Sequence, residues 1–170
     1  MKKFFPSLFI FAFTLISYAQ EVKVNWVSFD EAIALQKKAG KKAKPIFMDV
    51  YTDWCGPCKL LDKTTFVDPE VAKLINENFI AVKFNAEGQE SVTHKGVKYD
   101  NPDFNPDRKG RNAIHHFAKT LDLVGYPSMI IFDAKSEKVK TIVGYKTAQE
   151  LAKEIDSFFN PKKPEKVATN

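Results

Sequence analysis

The sequence predicts an α/β domain, a central mixed β-sheet with helices on both faces. Helix and strand patterns alternate in the order β-α-β-α-β-α-β-β-α, which suits a sheet covered on two sides. Short apolar runs at Ile46 to Tyr51 and Phe79 to Phe84 supply central strands. Two capping boxes, Ser28 with Glu31 and Thr147 with Glu150, mark helix starts by placing a hydroxyl three residues before a carboxylate.

The chain has 170 residues and a net charge of +5. Lys2 and Lys3, the apolar run Leu8 to Tyr18 and the small residues of Ser17-Tyr18-Ala19 predict a signal peptide over 1–19, cleaved before Gln20. The apolar run is short for a membrane span. Cleavage leaves one domain over 20–160, long enough for a real core. Without Lys2 and Lys3 the net charge falls to +3. That balance is mild and its lysines are scattered, so no nucleic-acid partner is expected.

Val22 to Val27 alternates and reads as a short edge strand. The helix opened by Ser28 runs to Ala39 and stops at Gly40, with Ala32, Ile33, Leu35 and Ala39 inward. Ile46 to Tyr51 follows, interrupted by Asp49, an acid that is costly in a buried strand unless paired or functional. A helix leads on from Cys55 through Leu60, Leu61 and Thr65. Asp68-Pro69 restarts it, with Asp as cap and Pro at the first position, and Val71, Leu74 and Ile75 inward. After the strand Phe79 to Phe84, residues 86–111 form an insertion with little periodicity, longer than a usual structureless connection. It reads either as a loop that touches a partner or as a surface excursion with a short hairpin near Thr93 to Tyr99. Asn112 to Asp122 reads as a helix with Ala113, Ile114, Phe117, Ala118 and Leu121 inward and with His115 and His116 at the surface. Met129 to Phe132 and Lys138 to Val143 are strands, the second antiparallel. The helix from Thr147 carries Leu151, Ile155, Phe158 and Phe159. Pro161 ends it, and 161–170 reads as a disordered tail.

The chemistry concentrates at Trp54-Cys55-Gly56-Pro57-Cys58-Lys59. Cys55 and Cys58 are the only cysteines in the sequence, so an exported form must find its partner thiols on other molecules. A thiol at a helix start faces free backbone N–H groups and the positive end of the helix dipole, which stabilise the reactive thiolate. Cys58 is near enough to close a small ring, so the pair is equipped for two-electron thiol–disulfide exchange. Half of a zinc site is another reading, but it lacks partner ligands of the right spacing among His94, His115 and His116, and no metal site is expected. A structural disulfide is a third, though so small a ring constrains the unfolded chain little.

Trp54 to Lys59 resembles the active site of the thioredoxin-like family. Asp49, six residues before Cys55, stands where the family carries a buried carboxylate. Lys83 stands where it carries a lysine near that acid, and Gly125-Tyr126-Pro127-Ser128 resembles its cis-proline loop. Asp49 to Pro69 more closely resembles the exported, periplasmic domain of membrane thiol:disulfide interchange proteins. The resemblance covers Trp26 to Phe159. It implies a thioredoxin fold, with 86–111 as a departure from the family pattern between the third core strand and the next helix.

What the resemblance implies is an exported protein-disulfide reductase with no cofactor beyond a redox-active Cys55–Cys58 disulfide. Cys55, expected to be the more exposed sulfur, attacks a partner disulfide and Cys58 resolves the mixed disulfide. Asp49 accepts the proton from Cys58, its acidity tuned by Lys83; a purely structural ion pair is the other reading of that acid. Trp54, Gly56, Pro57, Tyr126 and Pro127 line the substrate side. Disulfide-containing proteins are the expected partners and a membrane thiol reductant the expected electron donor, with the chain a periplasmic monomer. A non-catalytic binding module of an envelope complex, a disulfide oxidant or isomerase, and a metal carrier are the alternatives on the same fold.

Overall fold

Five strands meet in one mixed sheet in the computed structural model, which describes residues 22–161. The signal peptide expected over 1–19 lies outside the described residues, as does the expected tail apart from Pro161. Among the described residues no helix is long and apolar enough to cross a membrane.

The elements are β1 (Trp26–Val27), α1 (Phe29–Ala39), β2 (Ile46–Tyr51), α2 (Gly56–Thr64), α3 (Pro69–Asn78), β3 (Ile80–Asn85), β4 (Val92–His94), β5 (Val97–Tyr99), α4 (His116–Lys119), β6 (Ser128–Phe132), β7 (Lys138–Val143) and α5 (Ala148–Phe159). The sheet order is β1-β3-β2-β6-β7. β1 and β2 run parallel to β3, whereas β6 is antiparallel to both β2 and β7. β1 is an edge strand as expected, but only two of the six residues over 22–27 pair.

Side chains alternate along β2, so the strand feeds two cores. Phe47 joins Leu61, Val71, Ile75, Leu151 and Ile155 on the face covered by α2, α3 and α5. Ile46, Met48 and Val50 join Phe29, Ala32, Phe84 and Phe117 on the face covered by α1 and α4. Asp49, two residues on from Phe47, lies on the same face in the middle of the sheet, in register with Lys83 of β3 and Met129 of β6.

Both capping boxes form: Ser28 Oγ accepts from Glu31 N and Thr147 Oγ1 from Glu150 N. Asp68 Oδ1 accepts from Glu70 N and Val71 N, each at 3.0 Å, which satisfies two otherwise unpaired donors at the start of α3. Asp68→Ala is therefore expected to lower unfolding free energy by about 1 kcal/mol in a urea titration, with an unchanged slope.

Three expectations are corrected. On α1, Leu35 is exposed, Ala39 is at the surface and Ile33 is half-buried; Gln36 is buried instead. Its Nε2 donates to Lys44 O and Asp133 O and its Oε1 accepts from Ser136 Oγ, so a polar side chain with every group bonded holds α1 to the β6–β7 turn. The helix expected over 112–122 shrinks to the four residues of α4, and Ile114 is exposed rather than inward. The cause is competition for its backbone. Asn101 Nδ2 donates to Ala113 O at 2.8 Å, and His115 N donates to Ala86 O at 2.8 Å. His115 is fully buried, not at the surface. Its Nδ1 accepts from Phe117 N at 3.0 Å, which fixes a neutral ring whose Nε2–H donates to Glu90 O at 2.6 Å. Burial pushes its pKa down, in keeping with that neutral ring.

Residues 86–111 are tied to the domain at several points. β4 and β5 form the antiparallel hairpin, and Thr93 N donates to Asp30 Oδ1 at the start of α1. Val92 is buried in the core beside Phe29 and Phe117.

Candidate active site

Cys55 is the N-cap of α2 and Pro57 lies in its first turn, where a missing N–H leaves no helical bond unmade. Cys55 and Cys58 are joined in a disulfide with their Cα atoms 5.3 Å apart. Cys55 Sγ accepts from Cys58 N at 3.1 Å. In the reduced state the same N–H and the helix dipole would stabilise a thiolate on Cys55, whereas Cys58 lies within the helix.

The two cysteines are covered almost equally in the oxidised form, at 3% and 2% exposure. Gly56 and Pro57, both exposed, arch between them, and the buried Pro127 belongs to the neighbouring loop. What separates the two sulfurs is their place on α2 rather than their accessibility.

A charged triad joins α2 to the sheet: Asp49 of β2, Lys83 of β3 and Asp62 of α2. Asp49 is fully buried. Lys83 Nζ lies 2.7 Å from Asp49 Oδ2 as an ion pair outside good hydrogen-bond angles, and it donates to Asp62 Oδ1. Asp49 Oδ1 has no partner among the described residues. Burial pushes the Asp49 carboxyl up, Lys83 pulls it down, and the balance stands at about 6. Burial opposes the charge on Lys83, but Asp49 and Asp62 outweigh it and hold the ammonium above its ordinary value. The rings of Trp26, Tyr51 and Phe66 surround that ammonium at 5.1, 5.1 and 5.2 Å. A buried carboxylate with an open oxygen and a pKa raised to about 6 is thus held in the strand that leads into the cysteine helix.

On the other side of the motif, Trp54 packs edge-on against Tyr126, with ring centroids 5.9 Å apart. The Tyr126-Pro127 peptide is cis. The Pro127 carbonyl is taken by Gly144 N at 2.8 Å. The main-chain N–H and C=O of Tyr126 have no partner among the described residues. Val124, just before this loop, is 83% exposed.

Trp54 is also gripped by the insertion. Its Nε1 donates to Glu87 Oε2 at 2.9 Å, and the same oxygen accepts from Asn112 N at 2.7 Å. The Arg111 guanidinium lies over the indole, 4.3 Å from its centroid. Gly56, Pro57 and Cys58 follow Cys55 at the start of α2, Trp54 before it packs on Tyr126 of the cis Tyr126-Pro127 peptide, and Asp49 and Lys83 pair in adjacent strands with Lys83 reaching Asp62 of α2. Asp62, Glu87, Arg111 and Asn112 join this region without being expected from the sequence. Asp62 was within reach of pattern reasoning, because it follows Cys58 by four residues and so shares its helix face. Glu87 carried no such signal.

A family model described as "Thioredoxin-like domain" matches residues 30–159. Among curated proteins, the chain is similar to the thiol:disulfide interchange protein DsbD of Pectobacterium atrosepticum, 22% identical over 137 residues, covering 79% of this chain and 20% of that protein. It is 30% identical over 122 residues to DsbD of Campylobacter jejuni, covering 72% of this chain and 18% of that one. The chain thus spans a fifth or less of the length of these relatives. Among solved structures it is similar to a candidate disulphide-isomerase from Bacteroides thetaiotaomicron, with a TM-score of 0.57, 28% identity, and coverage of 85% of this chain and 100% of that one. A thioredoxin from Thermus thermophilus has the same TM-score of 0.57 at 18% identity, covering 81% of this chain and 88% of that one, and shares the fold.

Proposed function

The chain belongs to the thioredoxin-like domain family, and from that premise we propose that it is an exported thiol–disulfide oxidoreductase that reduces disulfides in partner proteins. The observation that carries the reading is the Cys55–Cys58 disulfide at the start of α2, flanked by Tyr126-Pro127 and underlain by Asp49 and Lys83.

In the reduced protein, the Cys55 thiolate attacks one sulfur of a partner disulfide. A mixed disulfide forms and the partner's other sulfur leaves as a thiolate. Cys58 then loses its proton to Asp49, directly or through water, and attacks Cys55 Sγ. The protein ends as the disulfide, and the partner ends with two thiols after taking up two protons. An extended partner strand pairs with the free main-chain groups of Tyr126, as strand addition does elsewhere. Electrons return from a membrane thiol reductant. The likeness to proteins named for thiol:disulfide interchange supports that donor class, as Gly56-Pro57 between the cysteines supports the reducing direction.

Equilibration with glutathione tests the direction. The reading expects a Cys55–Cys58 potential well below about −200 mV; a value well above it would make the protein an oxidant or isomerase instead.

A further inference from the structure

We propose that Arg111 is a specificity residue of this site, selecting partner polypeptides that carry an Asp or Glu beside the disulfide to be exchanged. The inference rests on the exchange activity proposed above. It comes from how the insertion meets Trp54.

Both ends of the insertion converge on this one side chain. Glu87, at its start, is buried and accepts from Trp54 Nε1; Asn112, just past its end, donates its backbone N–H to the same carboxylate oxygen. That shared acceptor fixes the chain entering and leaving the insertion against the residue next to Cys55. It also places the guanidinium of Arg111, the preceding residue, over the indole, 4.3 Å from its centroid. A guanidinium held over a ring face is attracted by the π system and not through its N–H groups, so the contact does not depend on using up its donors.

Arg111 is exposed, and among the described residues no carboxylate pairs with it. Arg108 and Lys109 are exposed beside it, with only Asp107 to offset them in that stretch. Trp54 also meets Tyr126, whose main-chain N–H and C=O have no partner among the described residues. A partner strand lying along Tyr126 therefore passes near a guanidinium that no carboxylate pairs with among the described residues and whose fork suits a two-pronged carboxylate contact. Exposed charges of this kind act mainly on partner choice and encounter rate.

The test uses the mature chain, prereduced, and three disulfide-bridged peptides that differ only in Glu, Gln or Lys next to one cysteine. Rapid quench gives the second-order rate constant with each. The Glu peptide is expected to react about fivefold faster than the Gln peptide, and the Lys peptide slower than either. The Glu preference should fade at about 0.5 M salt. Arg111→Gln should bring the Glu-to-Gln ratio near one, and Arg111→Lys should keep only part of it. Glu87→Ala, which frees the clasp, should also flatten it. The ratio is taken within each variant, so a change in overall rate does not enter. Equal rates of wild type with all three peptides, or an Arg111→Gln variant with an unchanged ratio, would overturn the inference and leave the exchange activity standing. If no peptide reacts, the functional reading falls and takes this one with it.

Discussion

Cys55→Ser is expected to reduce disulfide exchange to the buffer background, whereas Cys58→Ser should stop the reaction at a trapped mixed disulfide. The asymmetry follows from position on α2, not from exposure, since both cysteines are almost fully covered when oxidised. Cys55 sits at the cap, where the Cys58 N–H points at its sulfur at 3.1 Å and the helix dipole favours negative charge. Cys58 is already inside the helix and needs a base. In an insulin-reduction assay with dithiothreitol, both single variants should fail to turn over. Mixed with insulin without dithiothreitol, only reduced Cys58→Ser should carry a partner chain as a mass adduct, which reductant then removes. A Cys55→Ser protein that still turned over would give the first attack to Cys58. A wild type inactive with every donor would favour the non-catalytic binding module.

Asp49→Asn should change both stability and rate, each with a defined pH dependence. The folded-state pKa of Asp49 is raised from 3.8 to about 6. The folded protein therefore holds a proton that the unfolded chain has already lost. That contribution to stability is fully present below the unfolded pKa and disappears as pH rises through about 6. Two pH units correspond to about 3 kcal/mol. Asn does not titrate, so the stability of Asp49→Asn relative to wild type should rise by about 2 kcal/mol between pH 4 and pH 8. Lys83 keeps Asp62 as a partner in the variant, which limits the loss from the broken ion pair. Denaturant titrations of both oxidised proteins at several pH values measure this, and parallel pH curves would contradict the burial of an ionising acid. For the rate, wild-type resolution of the mixed disulfide should rise through about pH 6 as Asp49 ionises. The variant should lose that inflection and resolve about a hundredfold more slowly.

The legible parts of this molecule were those written in local patterns. The capping boxes at Ser28 and Thr147, Pro69 after Asp68, the apolar strands and the paired cysteines each signal through neighbours in sequence, and each formed where the pattern put it. The misses are tertiary. The helix over 112–122 had a sound apolar spacing, but Asn101 and Ala86 captured its first turn through bonds that no local pattern encodes. His115 looked like a surface residue because its cap role and its bond to Glu90 depend on the path of the insertion. Burial of Gln36 has no local signal, because a buried amide is tolerable only when three distant groups meet it. At the site, Asp49 announced itself as an acid in an apolar strand. Glu87 did not, because its role exists only once the two ends of a long insertion return to Trp54.

The most direct test of the central claim, that α2 makes Cys55 the attacking sulfur, is alkylation of the reduced protein as a function of pH with each cysteine read separately by peptide mass. Cys55 should react first, with an inflection well below the ordinary thiol value of about 8.5. Faster modification of Cys58, or two cysteines titrating together near that ordinary value, would contradict it.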